Sequence, residues 1–162
     1  MALPEICYLC CNKLTKPTNV DHVPPQQIFP PGLRKAHGPL QLLTIPVHKG
    51  CNTAYKADEE YFVHTLMPFA RGTVAGDAVY SHVLSSYRAG HNAGLVRKVL
   101  GEFDPRPSGL ILAGGKVVKR FDGKRIKRIA WKIVRGLMFH HFGVEYPEAH
   151  TCSVSVTPVS ET

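Results

Sequence analysis

The chain has 162 residues, 44% of them hydrophobic, which suits a compact core and excludes a disordered polymer. No apolar run approaches the roughly 20 residues of a membrane helix, and the opening Met1-Ala2-Leu3-Pro4-Glu5 lacks the basic and apolar regions of a signal peptide, so the expected location is cytoplasmic. The formal charge of +8 is concentrated: Lys116 to Arg135 hold nine Lys/Arg against one acid, Asp122, whereas residues 1–70 hold six against five.

In chain order, residues 1–17 read as a turn-rich knuckle around Cys7-Tyr8-Leu9-Cys10, and Thr18 to Val23 as a short strand ending at Asp21-His22. Pro24-Pro25 and Pro30-Pro31 predict an extended, non-helical loop, because proline cannot donate to a ladder and restricts the residue before it. Leu40 to Val47, rich in Leu, Thr, Ile and Val, predicts a second strand. Helices are expected from near Cys51 to about Leu66, over roughly 74–88 and over roughly 92–102. Leu110 to Ala113 and Lys116 to Phe121 read as a hairpin joined by Gly114-Gly115. Asp122 is a good N-cap for a long helix whose apolar stripe is Ile126, Ile129, Ala130, Ile133, Val134, Leu137 and Met138, with Gly143 as its stop. Cys152 to Val156 alternates as a last strand would, and the tail beyond Pro158 is expected to fray.

The five cysteines form an odd, clustered set in a chain without an export signal, which points to metal ligands before disulfides. Cys7-x2-Cys10 is one half of a zinc knuckle and His48-x2-Cys51 the other, since an x2 turn offers two of the four ligands that tetrahedral zinc needs. Cys11 competes with Cys10 for this role, and His48 also reads as a plain surface histidine. The two halves would fix the ends of a proline-rich 37-residue segment, and with few large apolar side chains over residues 1–50 metal binding would be part of the folding free energy.

The order Cys-x2-Cys, Asp21-His22, strand, His48-x2-Cys51, Asn52 resembles the HNH endonucleases of the ββα-metal type, over roughly residues 7–60. The resemblance implies a zinc-braced, treble-clef-like ββα motif. It also implies His22 as general base, with Asp21 and Asn52 holding a catalytic Mg²⁺ or Mn²⁺ that neutralises charge on a phosphodiester. The chain departs from the pattern at two places. Leu43 stands where the family's middle Asn usually lies, with Thr44 beside it as a candidate substitute, and Lys56 stands where many members place a final histidine. Glu59, two helical turns after Asn52, is a further candidate metal ligand or a partner for Lys56.

Residues 70–162 carry no nuclease motif. The long helix presents Lys124, Arg125, Lys127, Arg128, Lys132 and Arg135, which predicts a phosphate-facing surface that contacts backbone rather than base edges. Trp131 and Phe139 read as core aromatics before base-stacking ones. The expected fold is thus α+β: a zinc-braced nuclease motif over 1–68, packed as one unit with a helical and hairpin region over 69–162. The expected function is metal-dependent cleavage of DNA, with a catalytically inactive, zinc-stabilised nucleic-acid-binding module as the alternative.

Overall fold

The computed structural model describes residues 5–36, 42–111, 113–150 and 152–155. The knuckle forms as β1 (Ile6–Cys7) pairs antiparallel with β2 (Asn12–Lys13). Between them the amides of Cys10 and Cys11 both donate to the Cys7 carbonyl, at 3.2 and 2.7 Å, and Cys11 takes a positive φ of 59° to close the turn.

β3 (Thr18–Val23) pairs antiparallel with β4 (Leu43–His48) in a six-rung register from Thr18↔His48 to Val23↔Leu43. On β3, Asp21 and Val23 point inward and His22 outward, as the two-residue period of a strand requires. β4 runs directly into α2 (Lys49–Thr53) and then α3 (Lys56–Leu66), so the local order is strand, strand, helix. The loop after β3 is less extended than its prolines predict. Gln26–Ile28 form one 3-10 turn, and Pro31 opens the short helix α1 (Pro31–Ala36), at a first-turn position where its missing N–H costs nothing.

α4 (Val74–Arg88) starts where Thr73 Oγ1 accepts from the Gly76 amide at 2.9 Å, and α5 (Ala93–Gly101) follows. The expected hairpin around Gly114-Gly115 does not form. Ala113–Gly115 make a 3-10 turn with Gly114 at φ 68°, and the short β6 (Val118–Lys119) pairs with β5 (Phe103–Asp104). Among the described residues Cys152–Ser155 there is no strand, and Val156 and the tail beyond Pro158 lie outside them. α6 (Gly123–Phe142) has the expected ends: Asp122 caps the Arg125 amide, and Gly143 closes the helix in the left-handed region.

The main core joins the knuckle to the end of the chain: Tyr8, Leu9, Val23, Ile45, Val47 and Tyr55 pack with Ile129 and Phe139 of α6. Burying each large apolar side chain here is worth roughly 1.5–3 kcal/mol. The buried face of α6 is Ile126, Ile129, Lys132, Arg135, Gly136 and Phe139, so it differs from the stripe expected. Val134 and Leu137 face solvent instead. The whole is a mixed α+β fold with three two-stranded sheets among the described residues, where no helix is long and apolar enough to cross a membrane.

Candidate functional site

Cys7, Cys10, His48 and Cys51 converge, and one donor atom from each lies within 4.8 Å of all the others. A zinc tetrahedron with 2.3 Å bonds has edges of about 3.8 Å, and His48 Nδ1 stands 3.4 Å from Cys10 Sγ and 3.9 Å from Cys51 Sγ. The antiparallel register explains the meeting, because His48 ends β4 beside the knuckle while the first turn of α2 turns Cys51 back toward it. The His48 amide also points at Cys7 Sγ, at 3.5 Å. On the far side of the ring, His48 Nε2 accepts from the Thr15 amide at 3.0 Å and lies 3.2 Å from Thr15 Oγ1, which fixes the orientation of the imidazole.

The electrostatics fit a cation here. Burial raises the Cys10 thiol, but hydrogen bonds from the Asn12 backbone, His48, Cys7 and Cys51 outweigh it and bring it down to about 7. Burial and the neighbouring Cys10 and Cys7 push Cys51 up to about 12. One thiolate forms readily and a second is opposed until a positive ion lies between them. Three soft sulfurs and an imidazole are a zinc donor set, and these residues fit that metal. Cys11 is not part of the cluster.

On the other side of β3 lies a cleft of about 240 Å³, lined by Asn19 to His22, Pro25 to Gln27, Asn52, Thr53, Lys56 and Glu59. Asp21, His22, Asn52 and Glu59, which the sequence singled out, therefore do come together. Asn52 Nδ2 donates to the Val20 carbonyl at 3.3 Å, which leaves its Oδ1 free to accept from or coordinate a ligand. Because Asn52 follows Cys51, the Cys/His cluster and this hydrogen bond fix it from two sides. His22 is half-buried and makes no side-chain hydrogen bond among the described residues. Thr44, not Leu43, is its cross-strand neighbour, on the same face of the sheet.

Asp21 is unlike the free metal ligand expected. It is only 4% exposed, and both carboxylate oxygens are taken. Tyr8 donates its hydroxyl to Oδ2, and Lys132 Nζ donates to Oδ1 at 2.7 Å. Burial and the adjacent Asp21 carboxylate hold the Tyr8 hydroxyl well above the usual tyrosine range, so it stays protonated and donates. Lys132 is 1% exposed and its Nζ donates to Glu59 Oε1 as well, bridging the two acids. Lys56 is exposed on the rim and makes no ion pair with Glu59.

This arrangement does not fit Mg²⁺ or Mn²⁺. Between Asp21 and Glu59 the cation position is filled by an ammonium. A divalent ion about 4 Å from it would meet a repulsion of roughly 8 kcal/mol at an effective dielectric of about 20, which cancels its attraction to one of the two carboxylates. The donors left over are Asn52 Oδ1, His22 and the second carboxylate oxygen of Glu59, so neither acid offers both of its oxygens to an ion.

The basic helix also differs from expectation. Lys132 and Arg135 point inward rather than toward a phosphate. Arg135 is 1% exposed and donates to the carbonyls of Tyr8 at 2.5 Å, Leu9 at 3.0 Å, and Tyr146. Arg125 and Arg128 pair with Asp58 at 2.5 and 2.7 Å, and Arg128 also reaches Glu148 at 2.8 Å. Only Lys124 and Lys127 of the six stay exposed. They border a hollow of about 250 Å³ with Trp131, Glu148 and His150. Tyr8 and Lys132, the two residues that hold Asp21, were not singled out for that role from the sequence. The available signal was the spacing of Arg125, Arg128, Lys132 and Arg135, which is that of one helix face.

Comparison with protein-family models, curated proteins and solved structures finds no match to this chain.

Proposed function

We propose that the chain hydrolyses phosphodiester bonds of nucleic acid, DNA first among them, in the cleft beside β3, with His22 as general base. One observation carries the reading: His22 and Asn52 share a single cleft, and Asn52 directly follows a ligand of the Cys/His cluster. In this reading an imidazole nitrogen of His22 takes a proton from water. The water oxygen bonds to phosphorus as the bond to the departing oxygen breaks, and that oxygen leaves with a proton taken from solvent. Lys56 offsets charge on the phosphoryl oxygens, and Asn52 orients water or phosphate. The divalent ion expected from the HNH resemblance is not carried into the reading, for the reasons of charge and geometry given above.

The second reading is a zinc-stabilised nucleic-acid-binding module without catalysis. It is favoured by the engagement of both Asp21 oxygens inside the fold. Cleavage of supercoiled plasmid by wild type and His22→Ala, both retaining zinc, separates the two. Loss of a positioned base slows cleavage by roughly 10²–10⁴-fold. An unchanged rate removes His22 from the chemistry, and plasmid that is bound but never cut favours the binding module.

A further inference from the structure

We propose that Lys132 is the resident cation of this cleft: Asp21 and Glu59 hold its ammonium in place of a divalent metal ion, and the cleft works without Mg²⁺ or Mn²⁺. The clause about working rests on the nuclease reading; the clause about the cation does not.

Three elements build the arrangement. β3 supplies Asp21, α3 supplies Glu59 and α6 supplies Lys132. The Nζ–Oδ1 separation of 2.7 Å is a hydrogen-bond length, whereas Mg²⁺ demands oxygens at about 2.0–2.1 Å in near-octahedral order. The ammonium cannot readily swing aside, because α6 is fixed on both sides of residue 132. Before it, Arg125 and Arg128 are tied to Asp58 on α3. After it, Gly136 lies so close to β3 that a Cβ there would stand 2.7 Å from Val23 Cγ2. Arg135 adds its bonds to the knuckle carbonyls. Tyr8 occupies the remaining carboxylate oxygen of Asp21, so the acid is oriented as well as neutralised. With 1% of its surface exposed, Lys132 does not touch a substrate. It is a positioning residue that fixes Asp21, and through Asp21 the end of the strand that turns His22 into the cleft.

The test is a Mn²⁺ titration of zinc-loaded protein, followed by electron paramagnetic resonance, in which free Mn²⁺ gives a strong signal that bound ion loses. Zinc holds the thiolate cluster against Mn²⁺, which prefers oxygen donors. In the wild type the Mn²⁺ signal should stay undiminished at millimolar ion. Lys132→Gln, which frees two converging carboxylates, should take up one ion per chain, and Asp21→Asn on that background should abolish the uptake. Stoichiometric Mn²⁺ uptake by the wild type, lost in Asp21→Asn, overturns the proposal even if Lys132→Gln does not fold. In parallel, plasmid cleavage should be the same with Mg²⁺ added or withheld, and strong stimulation by Mg²⁺ overturns the proposal too. If no nucleic acid is cut under any condition, the nuclease reading falls while the titration still decides which cation the acids hold.

Discussion

Lys132 is one residue in a run of cations, and in the sequence only the helix face it shares with Arg125, Arg128 and Arg135 marks it from Lys124 or Lys127. Its role comes from Asp21 and Glu59, which lie 111 and 73 positions away along the chain. A buried ion triad of this kind is costly to break, because removing one partner strands the others without solvent. Lys132→Met should therefore lower stability by roughly 3–5 kcal/mol, read as a shift in the denaturant midpoint. Lys124→Met should leave the midpoint nearly unchanged. Asp21, His22 and Asn52 were singled out through the resemblance of their order to the HNH pattern, and they line one cleft. Tyr8 and Lys132 were not singled out for it, since a hydrogen-bond partner across the core leaves no local pattern.

At the scale of elements, what could be read was what is locally written. β3, α4 and α6 stand close to where periodicity and capping residues put them, with Asp122 and Gly143 at the ends of α6. The hairpin at Gly114-Gly115 did not form because β6 pairs instead with β5, fifteen residues earlier in the chain, a non-local choice that the turn sequence does not encode. The buried face of α6 was misjudged because its cations are satisfied inside. Gly136→Ala tests how tightly α6 is seated. Alanine favours a helix by about 1 kcal/mol over glycine, but the new methyl meets the β-branched Val23. We expect a net loss of roughly 1–2 kcal/mol, seen as a lower denaturant midpoint. For the Cys/His cluster, Cys51→Ser should release zinc on metal analysis and loosen the pairing of β3 with β4, whereas Cys11→Ser should keep the metal.

Over the whole molecule, the basic charge is less available than its sum suggests. Arg125, Arg128, Lys132 and Lys119 are spent on internal acids, and Arg135 on backbone carbonyls. If nucleic acid binds through the outer face of α6, Lys124→Ala with Lys127→Ala should lower the salt slope of binding by about 2, as each lost phosphate contact removes about one. The same internal pairing makes the fold sensitive to acid. Burial alone would raise the Asp58 carboxyl, but the hydrogen bonds and charges of Arg128 and Arg125 outweigh it and hold it below the usual carboxylate range. The unfolded chain then takes up this proton at a higher pH than the folded one. Stability from the pair is complete above about pH 4 and is lost as pH falls through the folded value. Denaturant midpoints measured from neutral pH downward should drop in that window, and Asp58→Asn should flatten the drop while costing roughly 1.5–3 kcal/mol at neutral pH. The grip of Arg135 on the Tyr8 and Leu9 carbonyls also sets an order in time. All four residues of the Cys/His cluster and the whole cleft lining, which ends at Glu59, leave a ribosome before α6, which begins at Gly123. During synthesis Asp21 and Glu59 are therefore exposed without Lys132, and the charge balance of the cleft is completed only when α6 has been made.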